Sequence, residues 1–191
     1  MALAMLLMLT GVLVSHENEG AEKPAADAAQ AAQMAMIAHM TPGEAHQRLA
    51  KDVGEWKASM TMFTPDGELK SEGTAIVEMA LGGRFQVTKI KANIMGMPFD
   101  GLGYQGYDNA KKVYTSIWMD NMGTSMTYAE GGVDKENDTL VYKGEMYSSE
   151  TGKYIHYRSV SKNVSENHIT FEMYMEEGGN YTRSFLIEYT R

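Results

Sequence analysis

From Gly54 to Arg191 apolar and polar residues alternate in short segments, and Gly, Pro, Asp and Asn interrupt the pattern at nearly regular intervals. A period of two places successive side chains on opposite faces of a strand. The segments predict strands over 55–64, 68–81, 84–94, 99–107, 113–120, 124–131, 139–148, 154–164, 168–176 and 181–190. No helical pattern of about 10–15 residues separates them, so parallel βαβ units are excluded. The simplest arrangement is all-β: an antiparallel up-and-down barrel of about ten strands, closed so that no edge is left exposed. Ahead of the strands, Thr41-Pro42-Gly43-Glu44 sets a capping hydroxyl, a proline at the first helical position and a carboxylate at the third. A short helix is predicted to run from there to Asp52, with Ala45, Leu49 and Val53 on one stripe covering one barrel end, and Gly54 ends it.

The last hairpins separate the two faces most clearly. Ile169, Phe171, Met173 and Met175 alternate with His168, Thr170, Glu172 and Tyr174, so the first set is predicted to face inward. Carried across Glu177-Gly178-Gly179, the register puts Tyr181, Arg183, Phe185, Ile187 and Tyr189 on the same inner side, and Thr182, Ser184 and Glu188 outside. Arg183 interrupts that apolar face. A buried guanidinium needs a carboxylate, carbonyls or an anionic ligand, which makes Arg183 the candidate polar anchor; a one-residue bulge or a rim position would send it to water instead. The same alternation turns Ile155 and Tyr157 inward, facing Leu140, Tyr142 and Met146, with Met126 and Tyr128 beyond. Trp118 and Asp120 share one face of the fifth strand, so an indole N–H and a carboxylate point together into a polar lumen or lie at a covered rim.

Composition changes this picture in three ways. The chain has 191 residues, 43% of them hydrophobic, enough for one domain with a substantial core. A net charge of -8 with no cluster of Lys or Arg excludes nucleic acid as partner. Seventeen methionines and no cysteine remove disulfides and thiolate metal sites and leave a soft, deformable apolar lining, suited to a ligand of imperfect shape or serving as ordinary core filler.

The apolar run MALAMLLMLTGVLV is followed abruptly by SHENEG. Residues 1–15 therefore read as a signal peptide or hydrophobic N-terminal segment, shorter than the roughly 20 apolar residues of a membrane span and without a preceding Lys or Arg. Residues 16–40, rich in Ala, Glu and Gln, read as a tether or weak helix, and residues 41–191 as the barrel. A periplasmic or secreted location follows, with membrane contact only through the N-terminal segment and the oligomeric state open.

Several chemistries find no support. The five histidines are scattered: His16 in the tail, His39 and His46 ahead of the barrel, His156 and His168 on its outer face. No pair has ligand spacing, so no metal and no cofactor is expected, haem included. Glu145 and Glu172 face outward, where carboxylates are solvated or paired with Arg158. No G-x-S-x-G, H-E-x-x-H, P-loop or dinucleotide fingerprint is present.

His46-x-x-Leu49, Gly54-Glu55-Trp56, Leu81-Gly82-Gly83-Arg84-Phe85, Met95-Gly96-Met97-Pro98-Phe99 and Gly106-Tyr107-Asp108-Asn109 occur in that order. Trp118-Met119-Asp120 with Thr124, Gly144-Glu145, Thr151-Gly152-Lys153, Phe171-Glu172-Met173-Tyr174 and Glu188-Tyr189-Thr190-Arg191 follow. Over residues 44–191 these motifs resemble the bacterial family called domain of unknown function 1579. That resemblance implies a lipocalin-like, calycin-type barrel, often exported, with no established reaction. Ser148-Ser149 departs from the pattern, which would have Asp-Pro before Thr151. Gly54-x-Trp56 also resembles the opening of lipocalins, where the Trp closes one barrel end and a basic residue of the last strand stacks on it. The resemblance gives that structural role to Trp56 and Arg191.

The leading functional expectation is an exported carrier or sensor of a small apolar or amphipathic molecule, with Trp118, Tyr128, Tyr142, Met146, Tyr157, Phe171 and Met173 as wall and Arg183 as anchor. One alternative is an enzyme in which Asp120, beside a Tyr or Arg, moves a proton on a bound substrate. The other is a solid barrel whose surface or tether binds another envelope protein.

Overall fold

The alternation becomes ten strands in the computed structural model, which describes residues 19–191. They are β1 (Gly54–Thr64), β2 (Gly67–Ala80), β3 (Phe85–Ile94), β4 (Met97–Asp108), β5 (Val113–Asp120), β6 (Thr127–Asp134), β7 (Thr139–Ser148), β8 (Lys153–Ser165), β9 (His168–Glu177) and β10 (Asn180–Thr190). Each pairs antiparallel with its neighbours in sequence, and β1 pairs with β10 from Lys57↔Thr190 to Met62↔Phe185, which closes the barrel. Two helices precede it, α1 (Glu19–Met40) and α2 (Glu44–Ala50). One compact unit ends at Ala38 and a second comprises His39–Arg191. The signal segment expected over residues 1–15 lies outside the described residues.

Turn chemistry sets the hairpins. Gly178-Gly179 between β9 and β10 has φ of 59° and 85°, and Met95-Gly96 between β3 and β4 has φ of 54° and 83°. Positive φ at both central positions gives the two-residue turn whose twist matches that of the flanking strands. In the β7–β8 turn the Ser148 hydroxyl accepts from the Thr151 amide at 3.3 Å, so the serine that breaks the family pattern still supplies a side-chain acceptor to the turn.

Helix α2 begins later than the sequence suggests. Gly43, extended at φ -126° and ψ -158°, is the N-cap, and the third helical residue is His46 rather than Glu44. The His46 ring nitrogen Nδ1 accepts from the Gly43 amide at 3.0 Å, while its ring meets Tyr107 edge-on. Burial holds this imidazole below its usual pKa, and the neutral ring is the form that can accept. Thr41 takes another role: its carbonyl and that of His39 accept from the Asn109 side chain at 2.9 and 3.1 Å, and Arg84 donates to Met40 O at 2.7 Å. These bonds tie residues 39–41 to the β2–β3 and β4–β5 turns. Ala45 and Leu49 pack as expected, but Val53 points to solvent, because the helix ends at Ala50 with Lys51 as C-cap.

Leu49 seals the α2 end of the barrel, packed in a cluster with Tyr114, Ala129, Leu140, Tyr142 and Tyr157. A second cluster gathers Trp56, Ala58, Met60, Ala75, Val77 and Ile90 on the β1–β3 side, with Ile169 and Ile187 from β9 and β10. Arg191 stacks over Trp56 at 4.1 Å and donates to Glu166 O and Val53 O at 2.8 Å each.

Candidate functional site

The inner wall changes character along the barrel axis. At the α2 end Leu49, Tyr114, Leu140, Tyr142 and Ile169 are buried, while Met79, Tyr107, Val133 and Tyr189 are half-buried. At the opposite mouth, formed by the β1–β2, β3–β4, β5–β6, β7–β8 and β9–β10 connections, inward residues such as Met62, Phe99, Trp118, Met146 and Phe185 remain partly exposed. The strands have one polarity of alternation, so the same inward positions that make a core near α2 make a partly exposed apolar mouth at the far end.

Trp118 forms one wall of that mouth because β4 provides the room. Its ring lies over Gly101, where a Cβ would collide with it, and over Gly103, where a Cβ would press on it at 3.1 Å, and it stacks on Phe99 with centroids 6.5 Å apart and planes 20° from parallel. The glycines in this strand therefore make a seat for the indole. Trp118 Nε1 donates to Asp120 Oδ2 at 2.8 Å, and the Met122 amide donates to Oδ1 at 3.0 Å. Asp120 sits opposite Gly101 in the register, at the rim of the wall.

Below, Tyr142 donates to Gln105 Oε1 at 2.8 Å and is 4% exposed. Burial pushes the Tyr157 phenol up to about 12 and the Tyr142 and Tyr189 phenols higher still. These hydroxyls are neutral floor groups. Tyr142, Met146, Tyr157, Phe171 and Met173 all lie inside, as the alternation predicts.

Two predicted site residues do not. Tyr128 is 49% exposed and donates to Glu130 at 2.7 Å on the outer face. Its neighbour Ala129, 1% exposed, fills the inward position, because the pairing of Thr127 with Trp118 sets β6 one residue out of the phase expected from its Met and Tyr. Arg183 is displaced by a bulge. Between Arg183 and Phe185 the β9–β10 register shifts, so Arg183 pairs with Tyr174 on the outer face while Phe185 returns to the interior beside Met173. Outside, its guanidinium lies 4.4 Å over the Phe63 ring and 3.6 Å from the Glu172 carboxylate, to which Tyr174 also donates. The interior anchor expected at Arg183 is therefore corrected. Tyr181, opposite Glu176, faces outward for the same reason.

The carboxyl group with a raised pKa is Asp52, which the sequence did not single out. Burial disfavours its charge, against hydrogen bonds from Asn163 at 2.6 Å and Gln86 at 3.3 Å and the charges of Arg48 and Arg191. Asp52 O also accepts from Trp56 Nε1 at 2.8 Å, so this residue joins the end of α2 to β1, β3 and β8. The available signal was Gln86, a lone amide on the inward positions of β3 that also donates to Leu49 O at 2.7 Å. A carboxyl raised by folding takes up its proton earlier in the native state, so stability rises as pH falls through the folded pKa toward 3.8. In urea melts from about pH 7 to about pH 4, wild type is expected to gain on Asp52→Asn as pH falls. A constant difference would show that the carboxyl is not desolvated.

Among the described residues no three His, Asp or Glu side chains converge to hold a metal ion. His156 lies 3.2 Å from Glu145 and His168 3.6 Å from Glu188, each a surface pair. Among the described residues no helix is long and apolar enough to cross a membrane. Two hollows stand out: a pocket of about 20 Å³, room for one water, at the mouth between Met62, Leu69, Ile94 and Phe185, and an open groove of about 790 Å³ outside the barrel between α2 and the β4–β5 and β6–β7 turns. Neither is lined by Trp118 or the floor tyrosines.

The model of a family described as protein of unknown function (DUF1579) matches residues 41–191. A search of the curated proteins finds no match. Among solved structures the chain is similar to the crystal structure of Rv2717c from M. tuberculosis, with a TM-score of 0.56 and 13% identity over 79% of this chain and 99% of that one. At that identity the likeness shows the fold alone.

Proposed function

This chain belongs to the DUF1579 family, and on that premise we propose that its barrel is a cup for a small apolar or amphipathic molecule, acting as a carrier or sensor. The observation that carries the reading is the gradient of exposure along the inner wall. Trp56, Ala58 and Met60 of β1 are 0–3% exposed, whereas Met62, next inward on the same strand, is partly open, as are Phe99, Trp118, Met146 and Phe185 around the mouth. Partly exposed apolar side chains on a concave surface are the material of a ligand site. Entry requires the methionines of the mouth to swing aside. An unbranched thioether does this readily, so a small resting volume is compatible with a larger bound one. Export belongs to the same reading and rests on the apolar run over residues 1–14.

The test uses Nile red, a neutral apolar dye, with the whole protein. One saturable equivalent is expected, with energy transfer from tryptophan. The chain has two tryptophans, one in the mouth and one beneath Arg191. Trp118→Ala, which removes one wall of the mouth, is expected to weaken dye binding severalfold, and Trp56→Phe to leave it. An absence of saturable binding, or binding that Trp118→Ala leaves unchanged, would sink the cup and shift the weight to a packed barrel that works through its surface. The intact mass of protein recovered from each cell fraction shows whether residues 1–15 have been removed.

A further inference from the structure

We propose that the polar end of the cup's ligand is a cation, held by Asp120; this rests on the cup reading above. With Arg183 moved to the outer face, three charged side chains share the inward register at the mouth among the described residues, and Asp120, at the end of β5, is the half-buried one. At the tips, Lys153 and Glu177 share the inward register, one of each sign and both solvent-exposed, so they set no net preference.

Asp120 is held in a fixed pose. The indole N–H takes Oδ2 and the Met122 amide takes Oδ1, which uses two of about four acceptor positions on a carboxylate and leaves the rest for a donor arriving from the lumen. Both anchors are neutral donors, so the negative charge is oriented but not cancelled. An ammonium group beside it gains a charge-assisted hydrogen bond, and a carboxylate or phosphate there meets repulsion. The surroundings suit the same guest. Trp118 and Phe99, stacked with planes 20° apart, give the apolar part of the guest a wall beside the carboxylate. The apolar remainder of the ligand then runs down past Met146 and Met173 toward the Tyr142 floor. Arg183 inside the lumen would have called for an anionic amphiphile; the β10 bulge reverses that selectivity.

Displacement of Nile red from the whole protein by decylammonium, decanoate and decanol, at about 0.15 M salt so that distant surface charge is screened, tests this. Decylammonium is expected to compete at about tenfold lower concentration than decanoate. Asp120→Asn, which keeps an acceptor for the indole, is expected to bring the two chains to near parity while decanol competes as before. Equal or better competition by decanoate, or discrimination that persists in Asp120→Asn, would overturn the cationic assignment and leave the cup intact. A wild-type protein with no saturable dye site would overturn both.

Discussion

Trp56→Ala is expected to lower the unfolding free energy by about 3–5 kcal/mol, the range for removing a large buried aromatic, from a total that for domains of this kind is about 5–15 kcal/mol. The residue is 3% exposed and touches both ends of the chain's logic. Its ring packs within the β1–β3 core cluster, its N–H closes the end of α2 through Asp52 O at 2.8 Å, and its outer face carries the Arg191 guanidinium at 4.1 Å. Arg191→Met removes the stacked cation together with its hydrogen bonds to Glu166 O and Val53 O while leaving the ring in place. The cation over the ring accounts for about 0.5–2 kcal/mol, so most of the loss belongs to the cavity. Urea unfolding followed by circular dichroism measures both variants. A loss below about 1 kcal/mol for Trp56→Ala would mean that the surrounding strands collapse into the space, and that the lid is not what holds this end shut.

Leu49→Ala is expected to cost about 2–5 kcal/mol and to do so in a particular place. Leu49 is 1% exposed, the plug that α2 inserts among Tyr114, Leu140, Tyr142 and Tyr157. A helix of seven residues has little stability of its own, so without the plug it should undock while the strands still pair. Hydrogen exchange separates the outcomes. Faster exchange over residues 43–53, with protection kept in β1 and β10, is the expected result; uniform loss of protection would show that α2 and the barrel unfold as one unit. Undocking should also expose His46, whose ring holds the start of the helix.

How far the sequence could be read is visible in single strands. β5 and β7 run from Val113 to Asp120 and from Thr139 to Ser148, the spans that alternation predicts, since both are bounded by turn residues. The inward set Ile169, Phe171, Met173 and Met175 was equally plain, because four apolar residues against a polar set leave one phase. β6 and β10 were misread at Tyr128 and Arg183 because phase there is not a property of the strand alone. Thr127 and Ala129 face inward because they must pair with Trp118 and Gly144, and Ser184 is expelled so that Phe185 can meet Met173. A slip of one residue reverses every side chain beyond it.

The helix start shows the same limit. Thr41, Pro42 and Glu44 spell a local capping signal, yet the buried imidazole of His46 on Tyr107 makes the cap at Gly43, a contact between residues 61 positions apart in the chain. Asp52 and Asn163 were silent for the same reason: ordinary polar residues, they acquire a joint role with Gln86 only when α2, β3 and β8 meet.

Alternation, turn residues and the family's motifs were enough to establish an antiparallel barrel of ten strands with a helix at one end, because period-two patterning and hairpin turns are local and repeat along the chain. Which residues of each strand face inward, where Arg183 goes and where the desolvated carboxyl lies were decided by closure. Joining β1 to β10 fixes every register at once, and only then do a bulge at Ser184, a glycine seat under Trp118 and a plug at Leu49 give the two ends of a symmetrical pattern different walls, with Asp120 in the inward register near the mouth.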